Sequence, residues 1–376
     1  MTSPVQRVGI EEEEQRSEWI SELARMKLSG VCDDDMVNAV LKEVGQIDVE
    51  EAVLPEPRAG ELLIKVMACG VCGTDVHIFS GGKGAADNPL PIVLGHEFSG
   101  IVEKVGIGVP DIKAGDRVSI DPNVLCGHCY YCLNGIGHFC ENMIGIGTLI
   151  NGGFSQYCVV PFRSAYRISD STSFVEGAMA EPLACCLHGI EMCNISSGDD
   201  VVIIGGGMIG LLMVQLAKIQ GAGRIVLVEP VEKKRSLGQK LGADICIDPV
   251  KCDVGESLRN AGINRVSVVI ECVGKPSTIQ TAIEIAGKKS TVMIFGLTHP
   301  DETIDVKPFD LFRNEIEVKS SFINPYTISR AIALIDSKKI DVKSMIADCV
   351  PLKRLVSILS DESLRAEGKY IVEPWA

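Results

Sequence analysis

The sequence predicts an α/β protein in which a strand-rich, barrel-like unit is joined to a doubly wound parallel sheet. Three observations carry this expectation. Between Met36 and about Cys140 the chain reads as short apolar runs bounded by Gly, Pro or Asp, a pattern of strands and tight turns. Beyond about Glu181, apolar runs of three to five residues alternate with helix-period segments, the rhythm of strand–helix–strand units. Gly205-Gly206-Gly207-Met208-Ile209-Gly210 lies directly between one such strand and one such helix. A length of 376 residues leaves room for two to three domains of ordinary size.

Taken in order, residues 1–35 form an acidic extension with nine acids against four bases. There the run Glu11 to Glu14 precedes Trp19, Ile20, Leu23 and Met26 at helical spacing, so a short helix and a solvated tail both fit. Strands are expected at 62–66, 98–105 and 117–120 in the first unit. Six more, at 201–204, 225–228, 245–247, 267–270, 291–294 and 316–320, alternate with helices at 209–220, 232–241 and 277–286. An amphipathic helix follows at 328–335, and a last strand at 370–372. The expected division places residues 36–181 and 323–376 in the strand-rich unit and 182–322 in the alternating one.

Composition excludes several classes. With 46% hydrophobic and 23% charged residues the chain is globular rather than disordered. A formal net charge of −14 repels a phosphate backbone, so nucleic acid is not an expected partner. No apolar run approaches the length of a membrane span, and no basic segment followed by an apolar one opens the chain, so a cytoplasmic location is expected. Fifteen cysteines in that setting point to metal binding or burial rather than to disulfides.

The glycine loop carries cofactor chemistry. Gly205 permits a tight turn, Gly207 lets backbone approach a pyrophosphate, and Gly210 lets the helix beginning near Met208 and Ile209 pack on its strand. Glu229, which closes the second strand of this region, can accept from both hydroxyls of an adenosine ribose and would repel a 2′-phosphate. That favours NAD over NADP, although Lys233, Lys234 and Arg235 nearby weaken the exclusion. Arg235, Val273, Phe295 and Leu297 complete the cofactor-binding candidates.

Two sets of metal ligands stand in the first unit. Cys126, Cys129, Cys132 and Cys140 can close a tetrahedral zinc site with no open position, the structural type, and His128 and His138 within that loop are surplus and expected at the surface. Cys72, His96 and Glu97 offer thiolate, imidazole and carboxylate with a fourth position open, as a catalytic zinc requires.

Together the motifs GVCGTDVH, GHEFSG, the four-cysteine loop, EPL at 181–183 and GGGMIG resemble the zinc-containing medium-chain dehydrogenase/reductase superfamily from about Met36 onward, and within it the sorbitol, xylitol and threonine dehydrogenases. The resemblance implies a GroES-like catalytic domain and a Rossmann domain, one catalytic and one structural zinc, and a homodimer or homotetramer acting on a small alcohol or polyol. It implies Cys72, His96 and Glu97 as ligands, Glu181 as a fourth ligand or a partner of the zinc-bound water, and Asp75 as the group orienting the metal site. Thr74 would be the hydroxyl of a proton relay and His77 its outlet. Cys185 and Cys186, just after EPL, are expected to be packed thiols. The chain departs from the sorbitol pattern after the last sheet strand: an Arg-Tyr pair is absent, and Ile323 and Tyr326 are expected to make that pocket wall apolar. Within this frame the activity is oxidation of a secondary alcohol or polyol to a ketone by hydride transfer to NAD. A threonine-type amino-alcohol dehydrogenase and an inactive zinc-thiolate binding protein are the alternatives.

Overall fold

A computed structural model of the chain describes residues 35–82 and 89–376. Residues 1–34, and with them the expected helix behind Glu11 to Glu14, lie outside the described part.

The second half builds a six-stranded parallel sheet. Its strands run in the spatial order Ile245–Ile247, Arg224–Val228, Asp200–Ile204, Val268–Glu271, Thr291–Ile294, Glu317–Ser320. The chain winds outward in one direction from Asp200–Ile204 and then in the other, so a topological switch point falls at the carboxyl ends of the two central strands. The central strands are apolar on both faces because both faces are covered, whereas the edge strand Glu317–Ser320 is polar and largely exposed. Val201, Ile203, Ile225, Leu227 and Met293 enter one core, whereas Val202, Ile204, Val226, Val228 and Val292 enter the other. Helices Ala180–Met192, Met208–Ile219 and Ile328–Asp336 pack on the first face, and Val254–Asn260 and Pro276–Glu284 on the second.

The first half is strand-rich. Glu61–Gly70 runs at the centre of a seven-stranded sheet, antiparallel to Glu97–Val105 and Tyr157–Pro161. At its carboxyl end it also pairs with Lys369–Glu373, from the far end of the sequence. Gly70 faces Glu97 on one side and Ile371 on the other, so this register brings residues 70–72, 96–97 and 369–371 to one end of the sheet.

Most expected strands and helices fall within a residue or two of the observed ones: 117–120, 245–247 and 291–294 coincide with their elements, and 267–270 shifts by one to Val268–Glu271; the strand expected at 62–66 runs four residues further, as Glu61–Gly70. Val254–Asn260 is not anticipated by the sequence pattern. Its seven residues are too few to show a period, and its start is fixed by Asp253, whose carboxylate accepts from the Glu256 amide at 2.7 Å. Among the described residues, no helix is long and apolar enough to cross a membrane.

Candidate metal and cofactor sites

Cys72 ends the turn after Glu61–Gly70 and immediately precedes helix Gly73–Phe79; His96 and Glu97 open the strand beside it. One ligand atom from each of these three residues lies within 4.8 Å of the others. Ligands at 2.0–2.3 Å around a tetrahedral zinc stand about 3.3–3.8 Å apart, so the set fits such an ion with a small contraction and leaves a position open.

Asp75, fully buried, ties the segments together. Its carboxylate accepts from the Cys72 amide at 2.8 Å and the Gly95 amide at 3.3 Å, and lies 3.3 Å from His96 Nδ1. Burial alone would lower the His96 pKa, but Asp75 and Cys72 raise it well above its ordinary value. Lys369, almost completely buried, forms an ion pair with Glu97. Burial pulls its pKa down, and the Glu97 carboxylate together with Cys72 and Asp75 more than offsets this.

Glu181, in the first turn of helix Ala180–Met192, is buried beside this set without joining it; Cys185 Sγ lies 3.4 Å from its Oε1. Burial and the Glu97 carboxylate push Glu181 up to about 7, against the lowering pull of His96. Glu181 is thus not among the residues whose ligand atoms the fold gathers with Cys72, His96 and Glu97. Thr74 is exposed on the first turn of Gly73–Phe79, and the His77 ring is half-buried beneath Gly82, where an added Cβ would come within 2.3 Å of it.

The four-cysteine loop is local. All four sulfurs lie within 4.8 Å of one another, with Cys126 and Cys132 Sγ 4.0 Å apart. Backbone amides point at the sulfurs, from Cys126 to Cys140 Sγ at 3.3 Å and from Cys129 to Cys126 Sγ at 3.4 Å. The Cys132 amide pulls the Cys129 thiol down to about 6, toward the thiolate that binds metal. These donors fit a closed zinc site. His128 is exposed as expected. His138 is not: its ring packs between Phe139, 4.2 Å away, and His188, 5.3 Å away, because the loop folds down on helix Ala180–Met192.

At the switch point, Gly205 adopts φ +102°, a conformation side-chain-bearing residues rarely take. A Cβ on Gly210 would approach Gly205 O to 1.8 Å, whereas one on Gly207 would meet nothing within 4 Å. The helix therefore packs against its strand while the backbone at Gly207, ahead of Met208 and Ile209, stays open for a pyrophosphate. Glu229 accepts from the Gly206 amide at 2.7 Å and the Val231 amide at 2.8 Å, which holds its carboxylate at the edge of that opening.

Three expected placements change. Arg235 donates to the carbonyls of Glu229 and Pro230, both at 2.7 Å, and pairs with Asp248, so it braces the turn rather than waiting for a phosphate. The Phe295 ring lies against Gly189 and in the core, because helix Ala180–Met192 crosses above it; Val273 and Leu297 remain exposed at the sheet edge. Tyr326 leaves the pocket wall: its hydroxyl reaches the four-cysteine loop, where a Cβ on Gly137 would come within 2.6 Å of it. Two contributors belong to no sequence motif: Lys369, and Asn324, which donates to Asp121 at 3.3 Å and accepts from Asn123 at 2.6 Å. A lysine opening an apolar strand is the one signal that points to Lys369.

The family signature of the alcohol dehydrogenase GroES-like domain matches residues 58–170, and that of the zinc-binding dehydrogenase matches residues 208–337. Sorbitol dehydrogenase of Bacillus subtilis is 31% identical over 85% of this chain and 91% of its own length. Among solved structures, a zinc-binding dehydrogenase of Sinorhizobium meliloti bound to NADP superposes with TM-score 0.88 at 38% identity, covering 91% of this chain and all of the other. The alcohol dehydrogenase RspB of Escherichia coli, complexed with NADH, gives 0.83 at 27%, covering 90% and 99%. With a thiolate-rich metal set, a glycine loop at a switch point and these matches over most of its length, the chain belongs to the zinc-containing medium-chain dehydrogenase/reductase superfamily, in its polyol dehydrogenase-like branch.

Proposed function

We propose that this NAD(P)-dependent zinc dehydrogenase oxidises a secondary alcohol with a neighbouring oxygen to the ketone, releasing one proton and passing a hydride to NAD. The observation that carries the reading is the convergence of Cys72, His96 and Glu97 beside Glu181. Zinc in that set supplies the Lewis acid that acidifies a hydroxyl, and the nicotinamide supplies the hydride acceptor. Asp75 orients His96, and Lys369 orients Glu97. Glu181 would accept a hydrogen bond from the oxygen at the open position, and the Thr74 hydroxyl would accept the substrate proton while passing its own through the nicotinamide ribose to His77, which releases it to solvent. Cys126, Cys129, Cys132 and Cys140 hold the second zinc.

The finer assignments rest on particular residues. Preference for NAD follows from the Glu229 carboxylate at the ribose position and from Arg235 being committed elsewhere. Residues 36–181 with 323–376 form the catalytic domain and 182–322 the cofactor domain. A second copy of the chain joins at the outermost parallel strand, Glu317–Ser320, beside exposed Phe309, Phe312 and Val318. The described cysteines are free, which suits a reducing cytoplasm. Ile323 keeps the far end of the pocket poor in donors, so short diols are favoured over six-carbon polyols.

NAD reduction measured across three- to six-carbon polyols, diols and threonine tests this directly. Turnover highest with short vicinal diols is expected. Threonine as the best substrate would move the chain to the amino-alcohol reading, and no turnover with any of them in protein holding two zincs would favour a binding role.

A further inference from the structure

Glu271 is fully buried at the carboxyl end of the central strand Val268–Glu271, on the other side of the glycine loop from Glu229. Its Oε1 accepts from the Val273 amide at 2.8 Å, the Gly274 amide at 3.0 Å and the Thr278 hydroxyl at 2.7 Å. Its backbone carbonyl accepts from the amides of Phe295 and Gly296, both at 2.9 Å. One residue therefore ties the turn after its own strand to the turn after the next. Glycines make the contact close: a Cβ on Gly274 would stand 2.3 Å from Leu297 O, and one on Gly296 would stand 2.1 Å from Gly274 N and 2.8 Å from Glu271 Oε2. Val273 in turn covers Gly205, where a Cβ would lie 2.7 Å from its Cγ2.

What these bonds hold in place is an exposed apolar wall. Val273 is 40% and Leu297 84% exposed, one on each of the two turns that Glu271 joins. Glu229 uses the same device across the loop, its Oε1 accepting from the amide two residues on, but its Oε2 accepts from Gly206 of the glycine loop itself. Glu271 faces inward and has no free edge to offer a ligand.

We infer that Glu271 is a positioning residue for the nicotinamide half of the cofactor: its carboxylate sets the Val273–Gly274 turn and the Leu297 turn as one rigid face against which the nicotinamide ring is held. This rests on the reading that the cofactor lies across the glycine loop with its nicotinamide toward Val273. A face held this way affects the part of the dinucleotide that touches it and leaves the adenosine half alone, and that separates positioning from general stability.

The test compares NADH with ADP-ribose, which lacks the nicotinamide, binding to the zinc-loaded full chain. Glu271→Gln keeps the shape and weakens the charge-assisted bonds. It is expected to weaken NADH binding about tenfold and ADP-ribose binding less than twofold, with zinc content unchanged. Glu229→Gln should weaken both ligands. Equal losses for the two ligands, or none, in Glu271→Gln would overturn the inference. Should that variant fail to fold, amide exchange in the unmutated protein decides: NADH and not ADP-ribose should slow exchange at Val273 and Gly274, and equal slowing or none would overturn the inference. If ADP-ribose binds the unmutated protein as tightly as NADH does, the orientation of the cofactor is itself at fault and not the role of Glu271.

Discussion

The four-cysteine loop and the Cys72–His96–Glu97 set offer ligands to metal from opposite kinds of scaffold. The first takes all its ligands from residues 126–140, two of the four buried, and relies on amides of its own loop to steady the sulfurs. The second gathers ligands from two segments, buries two of them, and needs Asp75 from a helix and Lys369 from a distant strand to hold them. A local site is stable in itself and closed to chemistry. An assembled site is stable only within the fold, and that dependence leaves a coordination position free for a substrate.

Breaking the assembled site should have the largest effect. Cys72→Ser is expected to lower turnover by at least about 100-fold with the fold retained, measured by steady-state kinetics and circular dichroism. Cys129→Ser should instead lower the melting temperature, by about 5 °C or more, while the molecules that remain folded keep their turnover. The reverse pattern would mean that the roles of the two sites are exchanged. Lys369→Met leaves Glu97 buried without its cation, so zinc affinity at the open site should fall about 10- to 100-fold, read by competition with a chelator, and Lys369→Arg should restore part of it. Elemental analysis of native protein should give two zincs per chain, with the open site emptied first by a chelator.

A smaller effect sharpens the comparison from outside both sites. Although partial burial opposes it, hydrogen bonds from Lys338 and Ser173 hold the Glu176 carboxyl down at about 2, below its ordinary 4.5. A depressed carboxyl contributes its stability fully above the unfolded value and loses it as pH falls toward the folded one. Stability should therefore decline between about pH 5 and pH 2, and Glu176→Gln should flatten that decline in melts at stepped pH. An unchanged slope would exclude Glu176 as its source.

The same contrast between local and assembled sites governs what the amino-acid sequence makes legible. The four cysteines and the glycine loop are runs of neighbours, so spacing alone exposes them. The central strands of the parallel sheet are legible because their residues are apolar on both faces, and each of the six ends within a residue or two of its expected limit. Lys369 and Asn324 are hidden because their partners lie hundreds of positions away, and pairing at that range leaves no periodic trace. Glu271 leaves one: it closes Val-Val-Ile much as Glu229 follows Ile-Val-Leu-Val, a repeated placement of one charge at the ends of apolar strands. Tyr326 departs from its expected wall because it adopts φ +57°, an unusual backbone state that turns its side chain toward the four-cysteine loop and that composition does not foretell.

The ion pair of Lys369 with Glu97 also has a meaning in time. During synthesis Cys140 emerges only 14 residues after Cys126, so the four-cysteine loop can load zinc while most of the chain is still unmade. Cys72, His96 and Glu97 emerge earlier still, but their countercharge arrives about 270 residues after Glu97. Until then three strong ligands stand on a growing polypeptide with no lysine to restrain the carboxylate, open to whichever divalent ion arrives first. The ligand set therefore takes its final shape only when Lys369–Glu373 pairs with Glu61–Gly70.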